Sequence, residues 1–124
     1  MTKLMIVEDE VRALLALQRG MTRRGYVVET AETAQEAIEV ALRFQPEILL
    51  TDWLLKGEQG GLQVAERLRQ LNPRLPIVFV TGLPIPPLKA AAAYLQPFLF
   101  LAKPVRLDVI DAALRQAMDT FEDG

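Results

Sequence analysis

Three carboxylates of this chain follow directly on apolar runs of strand length. Glu8 and Asp9 come after Leu4-Met5-Ile6-Val7, and Asp52 comes after Glu47-Ile48-Leu49-Leu50-Thr51. Thr81 follows a third run, Ile77-Val78-Phe79-Val80, and Lys103 comes just beyond a fourth, Phe98-Leu99-Phe100-Leu101. Neighbouring strands lie about 4.8 Å apart, so if the first two runs are neighbours, Glu8, Asp9 and Asp52 share one cleft. Two carboxylates about 4 Å apart repel by on the order of 4 kcal/mol at an effective dielectric of about 20. Such a cluster requires a cation or extra protons. An all-oxygen donor set favours Mg2+, with Mn2+ as the alternative, and keeps water in the ion's shell. Lys103, two strands beyond Asp52 and roughly 10 Å away between backbones, has a stem that crosses most of that gap. A carboxylate facing a divalent cation, an ammonium and a hydroxyl can accept a phosphoryl group. That transfer needs in-line attack and charge cancellation more than elaborate proton chemistry. Asp52 is the candidate acceptor.

Strand-length apolar runs alternate with amphipathic runs of helix length, five times over, which is the pattern of a parallel sheet covered on both faces. After the first strand, Glu8-Asp9-Glu10 supplies an acidic first turn to a helix with Val11, Leu14, Leu15, Gln18 and Met21 on one face, and Gly25 closes it. Tyr26-Val27-Val28-Glu29-Thr30 reads as strand two. Thr33-x-x-Glu36 is a capping box opening helix two, with Ala37, Ile38, Ala41 and Leu42 inward and Pro46 at its end. Helix three runs from Leu62 to Leu71 with Val64, Ala65, Leu68 and Leu71 inward. Pro84, Pro86 and Pro87 predict a short fourth helix that starts late, near Pro87, and runs to Leu95. Leu107, Ile110, Leu114, Ala117, Met118 and Phe121 stripe the last helix. The expected fold is therefore α/β: a doubly wound five-stranded parallel sheet, order 2-1-3-4-5, flavodoxin-like, filling residues 1–124 as a single domain. In that order the strand ends carrying Glu8, Asp9, Asp52, Thr81 and Lys103 meet at one edge.

Composition narrows the function classes. Fourteen basic against sixteen acidic residues give a formal charge of −2, so no overall basic field exists to hold nucleic acid. With no His and no Cys, the chain has no Ser-His-Asp or Cys-His nucleophile, no ordinary zinc site and no phosphohistidine of its own. No stretch is long enough to span a bilayer and the N-terminus has no signal-peptide core, so a cytoplasmic location is expected, without direct contact to membrane.

Met5-Ile6-Val7-Glu8-Asp9-Glu10, Leu50-Thr51-Asp52, Thr81-Gly82 and Lys103-Pro104 occur in this order at successive strand ends, and together they resemble the receiver domain of two-component response regulators. The resemblance covers essentially the whole chain. It implies a signalling switch, not an enzyme acting on an external substrate, in which Asp52 takes a phosphoryl group from a sensor histidine kinase or a histidine phosphotransfer protein. It implies that Glu8, Asp9, Asp52 and the carbonyl of Leu54 hold Mg2+, directly or through water. Thr81 and Lys103 would bind the phosphoryl oxygens, Phe100 would be the switch aromatic coupled to Thr81, and the Lys103-Pro104 bond would be cis. The face of helix four, strand five and helix five would meet partners or a second copy as a homodimer. The output would come from a downstream protein partner or from an effector domain absent from this chain.

Each residue also has a plainer structural role to weigh. Glu8 and Asp9 suit a helix N-terminus, Thr81 suits a turn cap, Lys103 a solvated loop, and Phe100 static packing in a buried strand. Gly60-Gly61 suits turn conformations with positive φ before helix three. The alternative to a phosphorylated switch is a pseudo-receiver that binds partners without phosphate. Within the resemblance, the positions two beyond the acceptor and two beyond the threonine govern water access, and here they are Leu54 and Leu83. Two apolar side chains exclude water, so slow self-dephosphorylation is expected.

Overall fold

The computed structural model describes residues 1–122, with side chains described through Thr120; the expected inward position of Phe121 lies outside the described side chains. Five strands, β1 (Lys3–Val7), β2 (Val27–Ala31), β3 (Ile48–Asp52), β4 (Ile77–Thr81) and β5 (Leu99–Ala102), form one parallel sheet in the order β2-β1-β3-β4-β5. The connecting helices are α1 (Val11–Arg23), α2 (Ala34–Phe44), α3 (Gly61–Leu71), α4 (Ile85–Ala91) and α5 (Leu107–Glu122), with a short 3-10 turn at Ala93–Leu95.

Strand alternation sends side chains into two separate cores. Met5, Val7, Leu49, Ile77 and Phe79 pack with Ala37, Ala41, Val64, Ala65 and Leu68 of α2 and α3. Leu4, Ile6, Ile48, Leu50, Val78 and Val80 pack with Leu14 and Met21 of α1 and Ile110, Ala113 and Leu114 of α5. Both faces are apolar because both are covered, which is why the central strands read as unbroken apolar runs instead of alternating ones. Fully burying one such Leu or Ile contributes about 1.5–3 kcal/mol.

The start of α2 follows its sequence signal. Thr33 Oγ1 accepts from the Glu36 N–H at 3.1 Å, and Glu36 reaches back to the Glu32 N–H at 2.9 Å. Gln45, at φ 52, ends α2 before Pro46, and Gly25, at φ 99, follows α1. Three expectations change. Glu8-Asp9-Glu10 precedes α1 instead of forming its first turn: Glu10 is the N-cap, accepting from Arg12 and Ala13 N–H at 3.3 and 2.7 Å. Helix α4 starts at Ile85, not near Pro87. Pro84 caps it and Pro86 and Pro87 fall in the first turn, where a helix leaves N–H groups unpaired and a missing donor costs nothing.

The third change concerns helix faces. Val11 and Leu15 of α1, Leu42 of α2 and Leu71 of α3 are exposed, because each helix touches the sheet along a narrower stripe than the apolar pattern suggested. In α1 that stripe is Leu14, Leu17 and Met21, with Gly20 close against Leu107 of α5. Among the described residues no helix is long and apolar enough to cross a membrane.

Candidate functional site

Parallel pairing aligns the carboxyl ends of β1, β3, β4 and β5 at one edge of the sheet, with Val7 opposite Thr51, Asp52 opposite Val80 and Thr81 opposite Ala102. Backbone bonds just past the strands extend this order: Glu8 N–H donates to Ala31 O at 3.1 Å, Trp53 N–H to Val80 O at 2.9 Å, and Lys103 N–H to Thr81 O at 2.8 Å. The side chains that leave these positions are thus fixed by the ladder, not by flexible loops.

Glu8, Asp9 and Asp52 each bring a carboxylate oxygen within 4.8 Å of the others. Lys103 crosses from the end of β5 to meet them, its Nζ 2.7 Å from Asp52 Oδ2 and 3.3 Å from Glu8 Oε1. Glu8 is 5% exposed, and its Oε2 accepts from the Glu10 N–H at 3.1 Å. Three negative groups face one positive one, and the deficit shows in the protonation equilibria. Burial acts first on Asp52 and the charge of Glu8 adds to it; against the opposing pull of Lys103 the carboxyl is pushed up to about 6. Burial also works against ionised Glu8, but the Glu10 N–H and Lys103 outweigh it and hold this carboxyl below its ordinary range. Lys103 is disfavoured as a cation by burial, yet its hydrogen bond and attraction to Asp52 leave it above the ordinary lysine value.

Thr81 is buried, and its hydroxyl oxygen accepts from the Leu83 N–H at 3.0 Å, the turn-capping bond of the plainer reading. Leu54 and Leu83, two residues beyond Asp52 and Thr81, are 59% and 40% exposed. The Lys103-Pro104 peptide is cis, and so is Gln96-Pro97, which nothing in the sequence reading anticipated. Phe100 is half-buried in a group of four rings. Its ring centroid lies 4.9 Å from Phe79 in a stacked pair, 5.6 Å from Trp53 and 5.5 Å from Phe98. Trp53, the residue after the candidate acceptor, is therefore in ring contact with the candidate switch aromatic.

The pair Gly60-Gly61 does a different job from the one expected. Gly60 has φ −112, and neither residue takes a positive φ; that conformation falls to Gly57, at φ 100. What the pair supplies is room: a Cβ on Gly61 would sit 2.0 Å from the carbonyl oxygen of Asp52, and one on Gly60 would sit 2.6 Å from that of Trp53. The start of α3 is thus pressed against the backbone of the candidate acceptor, where the buried Thr51 hydroxyl also donates to Asp52 O at 3.0 Å.

The family model for the response regulator receiver domain matches residues 4–115. The chain belongs to this family. Receiver relatives include the transcriptional regulatory protein GlrR of Escherichia coli, 30% identical over 116 residues, an alignment covering 94% of this chain and 26% of GlrR. The chain thus spans about a quarter of that relative's length. Among solved structures, the signal receiver domain of a modulated diguanylate cyclase from Desulfovibrio desulfuricans is 30% identical, with a TM-score of 0.86 over 98% of this chain and 97% of that one. A response regulator from Burkholderia pseudomallei, described with a phosphorylated aspartic acid, a calcium ion and citrate, is 28% identical, with a TM-score of 0.85 over 99% of this chain and 72% of that one.

The sequence left one supporting residue of this receiver unnoticed. Arg69 of α3 donates from Nε to Leu75 O at 2.7 Å, from Nη1 to Leu95 O at 2.5 Å and from Nη2 to Pro97 O at 2.6 Å, tying the entries to β4 and β5 to one guanidinium. An arginine on an amphipathic helix gives no sequence sign of three carbonyl partners.

Proposed function

We propose that this receiver domain is a phosphorylation switch whose acceptor is Asp52, charged by a phosphohistidine of a sensor kinase or phosphotransfer protein. One observation carries the reading: the Asp52 carboxylate lies between Lys103 Nζ at 2.7 Å and two further carboxylates at a sheet edge. The aspartyl phosphate and calcium ion of the Burkholderia pseudomallei relative agree with it. Glu8, Asp9 and Asp52 suit a divalent cation by their chemistry, since they are three hard oxygen donors whose mutual repulsion only one lysine relieves. They would hold Mg2+, or Mn2+, together with the Leu54 carbonyl. Bound there, the ion supplies charge neutralisation for the equatorial phosphoryl oxygens.

The chain's own groups do the rest. An Asp52 oxygen attacks phosphorus in line with the departing imidazole nitrogen, forming an acyl phosphate as the phosphorus–nitrogen bond breaks. Lys103 moves from the carboxylate to a phosphoryl oxygen, keeping its pairing through the reaction. Thr81 gives up the Leu83 N–H and donates its hydroxyl to another phosphoryl oxygen. Because Thr81 lies on the strand paired with β5, its movement loosens or tightens the ring group around Phe100, and the surface of α4, β5 and α5 responds. Output then passes to a separate partner or effector domain, with a homodimer as one mode of pairing. Leu54 and Leu83 shield the acyl phosphate from water and make its loss slow.

Borohydride trapping tests the assignment residue by residue. Phosphorylated protein, reduced and mapped by peptide mass, must carry homoserine at position 52; homoserine at position 9, or at none, rules the assignment out.

A further inference from the structure

Adjoining the acidic site is a cavity of about 570 Å3 whose apolar body the switch chemistry does not use. It is a wedge between α1 and α5. At its closed end the helices touch, since a Cβ on Gly20 would meet Leu107 Cδ1 at 2.6 Å. One and two turns back along α1, Ala16 and Ala13 replace bulk with space, and the helices leave a slot walled by Leu17, Val105, Leu107 and Ile110. The floor is the buried apolar ends of β1, β3 and β4. The slot opens onto Glu8, Asp52 and Lys103, which also line it.

Small-molecule sites are concave and mostly apolar, hold a few convergent polar groups and occupy about 300–1,000 Å3. This wedge meets each criterion, and its polar end has a definite sign. Glu8, Asp9 and Asp52 against Lys103 leave an excess of negative charge at the mouth. Glu8 is buried there, so a charge placed beside it is poorly screened. The carboxylates have lone pairs beyond those taken by Lys103 and the Glu10 N–H. An anionic head would meet repulsion, and a neutral one would leave the excess uncompensated.

We propose that the wedge between α1 and α5 binds a small organic cation, an amine or amidinium on an aliphatic or aromatic body. The body fills the slot, and the head donates to Glu8 and Asp52 where a divalent cation would otherwise sit. Occupation excludes the metal from its donors, so such a ligand antagonises the switch from within its own site. Binding rests on the cavity and its charge alone, whereas antagonism of the switch rests on the function proposed above.

The test is a methyl-resolved NMR titration of the metal-free protein with phenylbutylamine, and with phenylbutanol and phenylbutyrate as neutral and anionic controls. The amine is expected to shift the methyls of Leu17, Leu107 and Ile110, the alcohol to bind at least ten-fold more weakly, and the butyrate not to bind. Amine at a concentration equal to its Kd should double the apparent Kd for Mg2+. Ala16→Leu, which fills the slot from a solvent-facing position, should abolish the shifts while leaving Mg2+ binding intact; Ala13→Val serves if that variant misfolds. Three results would overturn the proposal: no methyl shifts, equal binding of amine and alcohol, or amine binding that leaves the Kd for Mg2+ unchanged.

Discussion

Asp52 is the residue at which folding and chemistry pull in opposite directions. Its carboxyl is pushed up to about 6 in the fold, above the ordinary value of 3.8, by burial and by Glu8. A raised carboxyl contributes stability that is complete below the ordinary value and lost as pH rises through about 6, so the ionised, metal-free site is a cost at neutral pH. Asp52→Asn in EDTA should therefore be more stable than wild type at pH 7.5 by about 1–2 kcal/mol. This allows for the weakened pairing with Lys103 and the coupling to Glu8. The gain should fall to roughly half at pH 5 and vanish only below the ordinary value of 3.8, and urea unfolding across that range checks both. A gain that does not depend on pH would show that the charge is not its source. Leu54 and Leu83 carry a separate claim about lifetime. Leu54→Asn with Leu83→Glu replaces two exposed apolar groups by ones that orient water, and the acyl phosphate should then decay several-fold faster. Decay followed by phosphate release at constant Mg2+ measures it, and an unchanged rate contradicts the shielding role.

At the scale of elements, the contact between the start of α3 and the end of β3 sets the position of Asp52. Gly61→Ala puts a Cβ 2.0 Å from Asp52 O, so α3 or the acceptor must move. A loss of about 1–3 kcal/mol, typical of overpacking, should come with weaker Mg2+ binding. Gly82→Ala, with open space around it, should do neither. Calorimetry and Mg2+ titration of the two variants separate the effects; a Gly61→Ala protein that loses stability but keeps its Mg2+ affinity would sever the link. The same scale explains what could be read without a structure. Strands covered on both faces must be apolar throughout, so β1, β3 and β4 stood out, and polar residues at their ends were visible by contrast. The capping box at Thr33 was legible because the cap is a side chain. The start of α4 was not, since proline is a breaker in the body of a helix and harmless in its first turn, and sequence alone does not say which applies. Nor were the exposed faces of Val11 and Leu15 legible: the lean of α1 toward α5 is set by one close approach at Gly20. Arg69 and the contact of Gly61 with Asp52 were hidden because both depend on backbone atoms outside the helix that carries them.

Over the whole molecule, a five-stranded sheet between two cores holds the acidic cluster at one edge and the ring group of half-buried Phe100 beside it. A ligand that binds only the folded chain stabilises it by RT ln(1 + [L]/Kd), about 2.7 kcal/mol at a hundred times Kd. Mg2+ at that excess should raise the melting temperature of the wild type by several degrees, and of Asp52→Asn by much less. Equal shifts would place the ion elsewhere. The central claim is that this edge takes a phosphoryl group on Asp52, and intact mass after incubation with acetyl phosphate tests it most directly. The wild type should gain the mass of one phosphoryl group with Mg2+ present and none in EDTA, and Asp52→Asn should gain none under either condition. A folded wild type that binds Mg2+ and gains nothing, or a variant that gains as much as the wild type, would contradict the account.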